Sequence, residues 1–222
     1  MLMIGHRGAM ACAPENTLLS IHKAMELGAD WVEIDVHLVD EHLIVIHDET
    51  LDRTTNGRGH LADYTFQEIR ALDAGLGQKI PTLQEALEVT AGVVGLNIEL
   101  KGNGTAKALI SLLEKVPEIQ KQNIIVSSFL MAELSEVFCL DKRLKIGVLV
   151  GNHMNQSIRW ANKLKAFSIH LSLHKVTSKW VKRAHDSGLK VYVYTVNNVK
   201  DIKRMEQLGV DGVFSDNPVP IG

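Results

Sequence analysis

The chain has 222 residues, and 45% of them are hydrophobic, so it can build a sizeable core as one large domain or two small ones. A formal net charge of −2 at pH 7 argues against a surface for nucleic acid or anionic membranes. No apolar run approaches the length of a transmembrane helix, and a polar pair at residues 6 and 7 leaves no room for an export segment before it.

The two cysteines, Cys12 and Cys139, show no metal-binding spacing. Ordinary thiols in a reducing compartment are the simple interpretation, and with no export segment they predict a cytoplasmic protein. Cys12 is close in sequence to the polar pair, so a reactive role for its thiol stays open.

The first polar feature is Gly5-His6-Arg7-Gly8, which follows a short strand predicted over residues 1–4. Flanking glycines let the backbone turn sharply and approach a ligand closely. Histidine can transfer protons near neutral pH, and arginine presents a planar set of donors that suits phosphate oxygens. Alone, the stretch is equally consistent with a strand end that carries two solvated polar residues.

An amphipathic helix and a second strand come next. The helix pattern begins at residue 16 or 17 and ends at Gly28. In the strand predicted over residues 31–37, alternate side chains share a face. Glu33 and Asp35 therefore point away from the apolar residues beside them.

A hairpin and an insertion follow the second strand. The turn at residues 40–42 is too short for a parallel crossover, so the apolar strand at 43–46 should return antiparallel. This return places His47 near the carboxylate of Asp35. The Thr-, Asn- and Gly-rich segment 49–80, with one short helix capped by Thr65, is interpreted as an insertion over one end of the fold and as a candidate lid.

Beyond residue 81, helices and strands alternate regularly. A helix starts at Thr82, and the later predicted strands cover 93–100, 124–128, 145–150, 166–171, 190–195 and 210–215. The helices between them cover 105–115, 132–140, 156–164, 179–187 and 199–208. Without the return strand of the hairpin, eight strands are separated by helices. This count predicts an α/β fold, a (β/α)8 TIM barrel over residues 1–222 as a single domain, in preference to an open doubly wound sheet.

Functional side chains of such a barrel lie at the C-terminal ends of its strands. The predicted ends carry His6, Arg7, Glu33, Asp35, Glu99, Lys101, Ser127, Ser128, Ser172, Thr195, Asn197, Ser215 and Asp216. The carboxylates of Glu33, Asp35 and Glu99 face one mouth, where like charges repel unless a cation lies between them. Hard oxygen ligands without cysteine favour Mg²⁺ or Ca²⁺ over Zn²⁺. The alternative, three separate surface carboxylates, fits strand-end placement less well.

His6 and His47 are the candidate acid and base. One can take a proton from an attacking hydroxyl while the other gives a proton to a leaving oxygen. Arg7 and Lys101 would neutralise a phosphate, although Lys101 is also placed to pair with Glu99 alone. The other eight histidines are expected to be structural: His22, His37, His42, His60, His153, His170, His174 and His185. A metal, two histidines and two cations around one cavity suit attack on a phosphodiester.

Nine short motifs carry a family resemblance, and they run in order across nearly the whole chain. They are His6-Arg7-Gly8, Pro14-Glu15-Asn16-Thr17, Glu33-Ile34-Asp35-Val36, His47-Asp48, Thr50-Leu51-Asp52-Arg53-Thr54-Thr55-Asn56-Gly57, Glu99-Leu100-Lys101, Ser127-Ser128-Phe129, Thr195-Val196-Asn197 and Ser215-Asp216-Asn217-Pro218. Each is weak alone, but the ordered set is specific, and it resembles the glycerophosphodiester phosphodiesterase family. The resemblance implies a TIM barrel with a small insertion after the second strand.

The resemblance also implies an activity, the hydrolysis of small glycerophosphodiesters such as glycerophosphocholine or glycerophosphoethanolamine to sn-glycerol 3-phosphate and an alcohol. By the same resemblance, a divalent cation (Mg²⁺ or Ca²⁺, with Mn²⁺ as a further candidate) is bound by Glu33, Asp35 and Glu99. His6 and His47 then do the acid–base work, and Arg7 and Lys101 hold the phosphate. Direct attack by water and attack by a glycerol hydroxyl, through a cyclic intermediate, both stay open.

One residue departs from the family pattern, which has Trp before Thr-Val-Asn where this chain has Tyr194. A smaller ring with a hydroxyl changes one cavity wall that the substrate contacts, so the head-group preference stays open, as does a homodimer.

The first alternative function is a lipid-directed phospholipase-type phosphodiesterase or lyase on the same barrel, which an apolar rim would favour. A non-catalytic module is the second, and it predicts that an acid, a base or a metal ligand is missing.

Overall fold

The computed structural model describes residues 1–151 and 153–219, so four residues of the predicted domain, Asn152 and 220–222, lie outside the description. The described strands are β1 (Leu2–Gly5), β2 (Trp31–Val39), β3 (His42–Val45), β4 (Gly95–Leu100), β5 (Ile124–Ser128), β6 (Lys145–Leu149), β7 (Ser168–Ser172), β8 (Lys190–Tyr194) and β9 (Gly212–Ser215). The described helices are α1 (Leu18–Glu26), α2 (Phe66–Ala71), α3 (Leu83–Thr90), α4 (Thr105–Leu113), α5 (Glu118–Lys121), α6 (Met131–Leu140), α7 (Met154–Lys163), α8 (Ser178–Asp186) and α9 (Val199–Leu208).

Eight of these strands form a closed parallel barrel. The strand order is β1-β9-β8-β7-β6-β5-β4-β2, and β1 also pairs with β2 through Ile4 opposite Trp31 and Gly5 opposite Val32. β3 stands outside this ring as the antiparallel partner of β2. The predicted (β/α)8 TIM barrel with an insertion after its second strand is confirmed.

The alternation along β2 decides which side chains enter the barrel. Val32, Ile34 and Val36 are fully buried in the cluster between strands and helices, together with residues of α1 and α3. Because neighbouring side chains of a strand point to opposite faces, Glu33 and Asp35 turn to the barrel interior. The periodicity thus places two carboxylates inside the barrel, where both are buried.

The loop between β1 and α1 is held tightly against the start of the helix. Thr17 caps α1 by accepting from the Ser20 backbone N–H at 3.2 Å, and the Ser20 hydroxyl donates to the Arg7 carbonyl at 2.9 Å. Gly8 has a φ of +80°, and a Cβ on it would lie 2.4 Å from the Ser20 Oγ, so glycine is required there. These contacts fix the backbone that carries His6 and Arg7.

The insertion builds a small core of its own on one face of the hairpin. Leu43 and Val45 of β3 pack into the main core, while Ile44, between them, faces the insertion. The insertion core contains Val39, Ile44, Ile46, Leu51, Leu61, Ile69, Ala74 and Ile80. Because the segment has its own buried contacts, it holds a defined position beside the barrel.

The element boundaries differ from the predicted ones in a few places. β4 begins at Gly95 rather than 93, and β9 at Gly212 rather than 210. The four-residue α5 and a 3₁₀ turn at Leu61–Asp63 were not predicted, since elements this short show no hydrophobic period. Among the described residues, no helix has the length and apolar character needed to cross a membrane.

Candidate active site

A cavity of about 100 Å³ lies at the C-terminal ends of the barrel strands. All the residues predicted for the site line it: His6, Arg7, Glu33, Asp35, His47, Glu99, Lys101 and Tyr194. Asn97, Phe129, Leu149, His170 and Phe214 complete the wall. Two larger surface grooves, of about 600 and 700 Å³, contain none of the predicted residues.

Three carboxylates form the acidic part of this cavity. Glu33, Asp35 and Glu99 are 3%, 1% and 8% exposed, and each offers an oxygen within 4.8 Å of the others. Asp35 and Glu99 are direct partners in the β2–β4 register. Burial, followed by the charges of Asp35 and Glu99, raises the pKa of Glu33 well above its ordinary value, and burial with Asp35 raises that of Glu99. Without a cation, the site resists full ionisation.

The donor set fits a hard divalent cation. Asn97 Nδ2 donates to Ser127 Oγ at 3.0 Å, and Asn97 Oδ1 is buried without a hydrogen-bond partner among the described residues. The cavity therefore holds three carboxylates and an unpartnered amide oxygen. All are oxygen donors of the kind that Mg²⁺, Ca²⁺ and Mn²⁺ prefer.

Arg7 is held on the edge of the acid cluster. Its backbone N–H donates to Glu33 Oε2 at 2.9 Å, and its Nη1 donates to Glu15 Oε1 at 2.7 Å. Its Nε lies 3.4 Å from Asp35 Oδ2 and makes no hydrogen bond within the described part of the chain. The guanidinium thus keeps an unused donor inside the cavity.

Lys101 stands between the acids and His47. Its Nζ donates to Glu99 Oε1 at 2.9 Å, so the pairing with Glu99 that was kept as an alternative to phosphate binding is present. Burial alone would lower the pKa of Lys101, but the Glu99 and Asp35 carboxylates raise it. The same Nζ lies 3.1 Å from His47 Nε2. An ammonium can only donate, so His47 Nε2 accepts and the imidazole is neutral.

Each cavity histidine is held by a carboxylate through Nδ1. His6 Nδ1 lies 2.7 Å from Asp216 Oδ1, and His47 Nδ1 lies 2.6 Å from Asp48 Oδ1. Asn197 Nδ2 donates to Asp216 Oδ2 at 2.6 Å. A carboxylate at Nδ1 holds the proton there and leaves Nε2 for the cavity. Burial lowers the pKa of His47, which favours the neutral ring.

Tyr194 forms an aromatic wall with Phe129 and Phe214. Its ring meets theirs edge to face, at centroid distances of 6.3 and 6.4 Å, and its hydroxyl donates to the Val150 carbonyl at 3.2 Å. Burial, with the charge of Glu99, raises the pKa of Tyr194 to about 12, so the phenol stays neutral. Tyrosine therefore keeps a neutral, fixed wall at this position.

His170, expected to be structural, also lies on the cavity wall. It is 1% exposed, its Nε2 lies 2.9 Å from Ser168 Oγ, and burial lowers its pKa to about 3. Such a ring stays neutral at any physiological pH and cannot serve as a proton carrier there. The cavity position was not predicted, although the alternation along β7 turns His170 inward.

Sequence reasoning assigned no role to several residues that hold the cavity side chains in place. They are Glu15, Asn16, Asp48, Arg53, Asn197 and Asp216, and all lie within the nine motifs. Their partners are up to 210 positions away in sequence, as in the pair His6 and Asp216. The local signals were adjacency to a predicted site residue, as at His47-Asp48, and the strand-end position of Asn197 and Asp216.

Comparison with known proteins gives a consistent result. The model of the glycerophosphoryl diester phosphodiesterase family matches residues 6–219. A glycerophosphodiester phosphodiesterase of Caldanaerobacter subterraneus is 38% identical, over 98% of this chain and 94% of that protein. One from Bacillus subtilis is 32% identical, over 98% of this chain and 84% of that protein.

Solved structures agree with these sequence matches. A phosphodiesterase of Oleispira antarctica, in complex with the product sn-glycerol-3-phosphate, matches with a TM-score of 0.92 and 33% identity, covering 98% of this chain and 94% of that one. A glycerophosphodiester phosphodiesterase of Thermotoga maritima matches with a TM-score of 0.84 and 29% identity, covering 98% and 95%. This chain therefore belongs to the glycerophosphoryl diester phosphodiesterase family and is an enzyme of that class.

Proposed function

We propose that the enzyme hydrolyses small glycerophosphodiesters, such as glycerophosphocholine or glycerophosphoethanolamine, to sn-glycerol 3-phosphate and an alcohol, with a divalent cation and two histidines. The observation that carries this proposal is the convergence of three buried carboxylates, within 4.8 Å of one another, on a cavity lined by His6 and His47. The product in the similar Oleispira structure supports the choice of glycerol phosphate as the released half.

Glu33, Asp35 and Glu99 would hold Mg²⁺, Ca²⁺ or Mn²⁺. The cation, when bound, supplies positive charge that polarises a phosphoryl oxygen. The raised pKa values of Glu33 and Glu99 support this role, because a cation relieves the repulsion that causes part of the shift. Asn97 Oδ1, without a partner in the described residues, faces the same enclosure.

Arg7 and Lys101 bind the phosphate of the substrate. Both cations lie at the edge of the acid cluster, where charge grows on the phosphoryl oxygens as the new P–O bond forms. Arg7 Nε is buried without a hydrogen-bond partner in the described residues, so it can donate to a phosphoryl oxygen without breaking a hydrogen bond. Lys101 Nζ would turn from His47 Nε2 towards the phosphate and free that nitrogen.

His6 and His47 divide the proton transfers. One imidazole takes the proton of the attacking hydroxyl, which belongs to water or to the glycerol itself, and the other protonates the leaving alkoxide oxygen as the old P–O bond breaks. Asp216 and Asp48 hold the Nδ1 protons, so both rings act through Nε2. Neutral His47, with no proton on Nε2, can accept the proton of the attacking hydroxyl, and the acid role then needs a proton on Nε2 of His6 before the leaving oxygen departs.

A substrate panel tests this proposal. Release of glycerol phosphate and of the alcohol is measured for several glycerophosphodiesters and one lysophospholipid, with Mg²⁺, Ca²⁺, Mn²⁺ or EDTA. We expect activity on the small diesters, loss in EDTA, and losses of about 100-fold or more in His6→Gln and His47→Gln. Full activity of both variants would overturn the acid–base roles. A preference for the lysophospholipid would favour the lipid-directed alternative.

A further inference from the structure

Arg53, in the insertion and outside the cavity, binds two carboxylates at once. Its Nε and Nη2 donate to Asp48 Oδ2 and Oδ1 at 2.6 and 3.0 Å. Its Nη1 and Nη2 donate to Glu15 Oε2 and Oε1 at 2.6 and 2.9 Å. The guanidinium therefore makes two forked contacts, the arrangement that its planar donors favour.

Each of these carboxylates also holds a cavity residue. Glu15 Oε1 accepts from Arg7 Nη1 at 2.7 Å, and Asp48 Oδ1 accepts the proton of His47 Nδ1 at 2.6 Å. The result is a continuous chain of alternating charges, Arg7–Glu15–Arg53–Asp48, which ends at the neutral His47 imidazole. It joins the candidate phosphate-binding group to a candidate proton carrier along the outside of the cavity.

The contacts differ from an isolated surface ion pair, which usually contributes little. The Arg53 side chain is 46% exposed, but that of Glu15 is only 10% exposed and has no other cationic partners than Arg7 and Arg53 in the described residues. The Arg53 backbone belongs to a turn in which the Thr55 N–H and hydroxyl both bind the Leu51 carbonyl, at 3.1 and 2.7 Å. Leu51 itself is fully buried in the insertion core.

We propose that Arg53 is a positioning residue that sets the separation of the Arg7 guanidinium and the His47 imidazole through Glu15 and Asp48. Arg7 lies in the loop after β1 and His47 follows the return strand of the hairpin, and in the described contacts no backbone hydrogen bond joins them directly. A catalytic group displaced by 1 Å can lose about 100-fold in rate. The inference rests on the roles proposed above for Arg7 and His47.

The same contact also orients Asp48. Arg53, with His47, lowers the pKa of Asp48 below its ordinary value, and the group is an ionised carboxylate at neutral pH, as an ordinary aspartate also is. The carboxylate accepts the Nδ1 proton of His47. Without Arg53, Asp48 is free to rotate away from the imidazole. His47 then loses the contact that selects its tautomer.

Arg53→Gln and Arg53→Lys test the proposal, with Arg58→Gln as a matched control. Arg58 is exposed in the same insertion and makes no side-chain ion pair among residues 1–151 and 153–219. We expect kcat/KM to fall about 10- to 100-fold in Arg53→Gln, through a higher KM and a lower kcat together. Arg53→Lys should recover little, because an ammonium cannot fork onto both carboxylates. Arg58→Gln should match the parent enzyme.

Two further measurements separate positioning from a general loss of structure. ¹⁵N shifts of His47 should show a proton on Nδ1 in the parent protein and mixed tautomers in Arg53→Gln, at unchanged melting temperature. Glu15→Gln with Arg53→Gln should cost no more than the worse single variant, because both break one chain. If Arg53→Gln lowers the melting temperature instead, Arg53→Lys, which keeps the charge, carries the test.

The outcomes that overturn the inference are distinct from those that overturn the proposed function. Parent-like kinetics in Arg53→Gln and Arg53→Lys, or additive losses with Glu15→Gln, would show that Arg53 does not couple the two groups. Arg7→Gln and His47→Gln are measured alongside. If Arg7→Gln and His47→Gln keep full activity, the proposed roles of Arg7 in phosphate binding and of His47 in proton transfer are wrong. If they lose activity while both Arg53 variants keep it, only the positioning role fails.

Discussion

Glu33 and Glu133 are two buried glutamates with opposite surroundings. Glu133 is 5% exposed and accepts from the Gly104 N–H, the Thr105 hydroxyl and the Ala106 N–H at 3.0, 3.0 and 2.8 Å. These donors satisfy its charge and cap the start of α4. Glu33 accepts one backbone N–H and faces two other carboxylates. The buried Glu133 carboxylate therefore stabilises the start of α4, whereas the buried Glu33 carboxylate is repelled by Asp35 and Glu99.

Glu33→Gln should stabilise the cation-free protein by about 1 kcal/mol, since it removes a repelled buried charge and keeps an acceptor for the Arg7 N–H. Glu133→Gln should destabilise it by roughly 1–3 kcal/mol, because charged acceptors make the stronger bonds. Urea unfolding in EDTA measures both. Added Mg²⁺, Ca²⁺ or Mn²⁺ should then stabilise the parent and not Glu33→Gln. If Glu33→Gln is instead destabilised, the carboxylates of Glu33, Asp35 and Glu99 do not repel one another in the cation-free protein.

The three carboxylates of the cavity were predictable one by one, because each lies towards the end of a strand and follows the strand period. Glu33 and Asp35 are examples, since two-residue alternation alone turns them inward. Arg53 was beyond that reasoning. It lies in an irregular loop, and its partner Glu15 is 38 positions away. Nothing in the local pattern says which carboxylates an exposed arginine binds.

The β2–β3 hairpin turns through two residues in the left-handed region. Asp40 and Glu41 have φ values of 45° and 64°, the arrangement of a two-residue turn that favours Asn, Asp and Gly. Asp40 suits the position, and its Oδ2 also accepts from the Phe66 N–H at 2.8 Å. Glutamate at the second position carries a steric cost without a compensating hydrogen bond in the described residues.

Glu41→Gly should stabilise the protein by about 0.5–1 kcal/mol, because Asp-Gly fits this turn without strain. Glu41→Ala removes the same carboxylate but keeps a Cβ, so it should not stabilise the hairpin. Thermal unfolding of both variants decides the matter. Equal gains in the two would assign the effect to charge rather than to backbone conformation.

The hydrophobic period of the sequence predicts the long helices and strands, but it does not predict the residues at which they begin and end. α4 and α6 were predicted within a few residues, since the pattern persists for about three turns. β4 starts two residues late because residues 93 and 94 pair with no neighbouring strand in the described register. A strand begins where its backbone first pairs with a neighbouring strand that is distant in sequence. The local hydrophobic pattern carries no information about that pairing.

The interior of the whole barrel carries a buried histidine whose charge the fold excludes. Burial lowers the pKa of His170 from its ordinary 6.5 to about 3. Between about pH 3 and pH 6.5, His170 is protonated in the unfolded chain and neutral in the folded chain. The stability associated with the neutral ring is complete above pH 6.5 and is lost as the pH falls towards 3.

His170→Gln should therefore flatten the acid side of the stability profile. One excluded proton changes the free energy of unfolding by about 1.4 kcal/mol per pH unit between pH 6 and 4. Glutamine keeps a polar partner for the Ser168 hydroxyl and does not titrate. Urea unfolding of parent and variant across this range measures the difference in slope. Parallel profiles would show that His170 is protonated in the folded barrel.

At the scale of the molecule, counting strands between helices was enough to predict the barrel. The count works because eight parallel strands with crossover helices close readily on themselves. The closing contact itself, β1 with β2, spans only two residue pairs and leaves no mark in the sequence. The insertion core was likewise not predicted, since its residues alternate with those of the main core along β3.

The proposed chemistry is unevenly divided along the chain. Of the predicted cavity residues, only Tyr194 lies beyond residue 101, while β8 and β9 contribute the Asn197–Asp216 support of His6. The loop after β5 supplies Phe129 to the cavity wall, and Val150, just after β6, accepts the hydrogen bond of the Tyr194 hydroxyl; neither is a reacting group. Exchange of the loops after β5 and β6 is therefore expected to change which alcohol the proposed enzyme accepts. It would leave the proposed catalytic residues, which all lie before residue 102, unchanged.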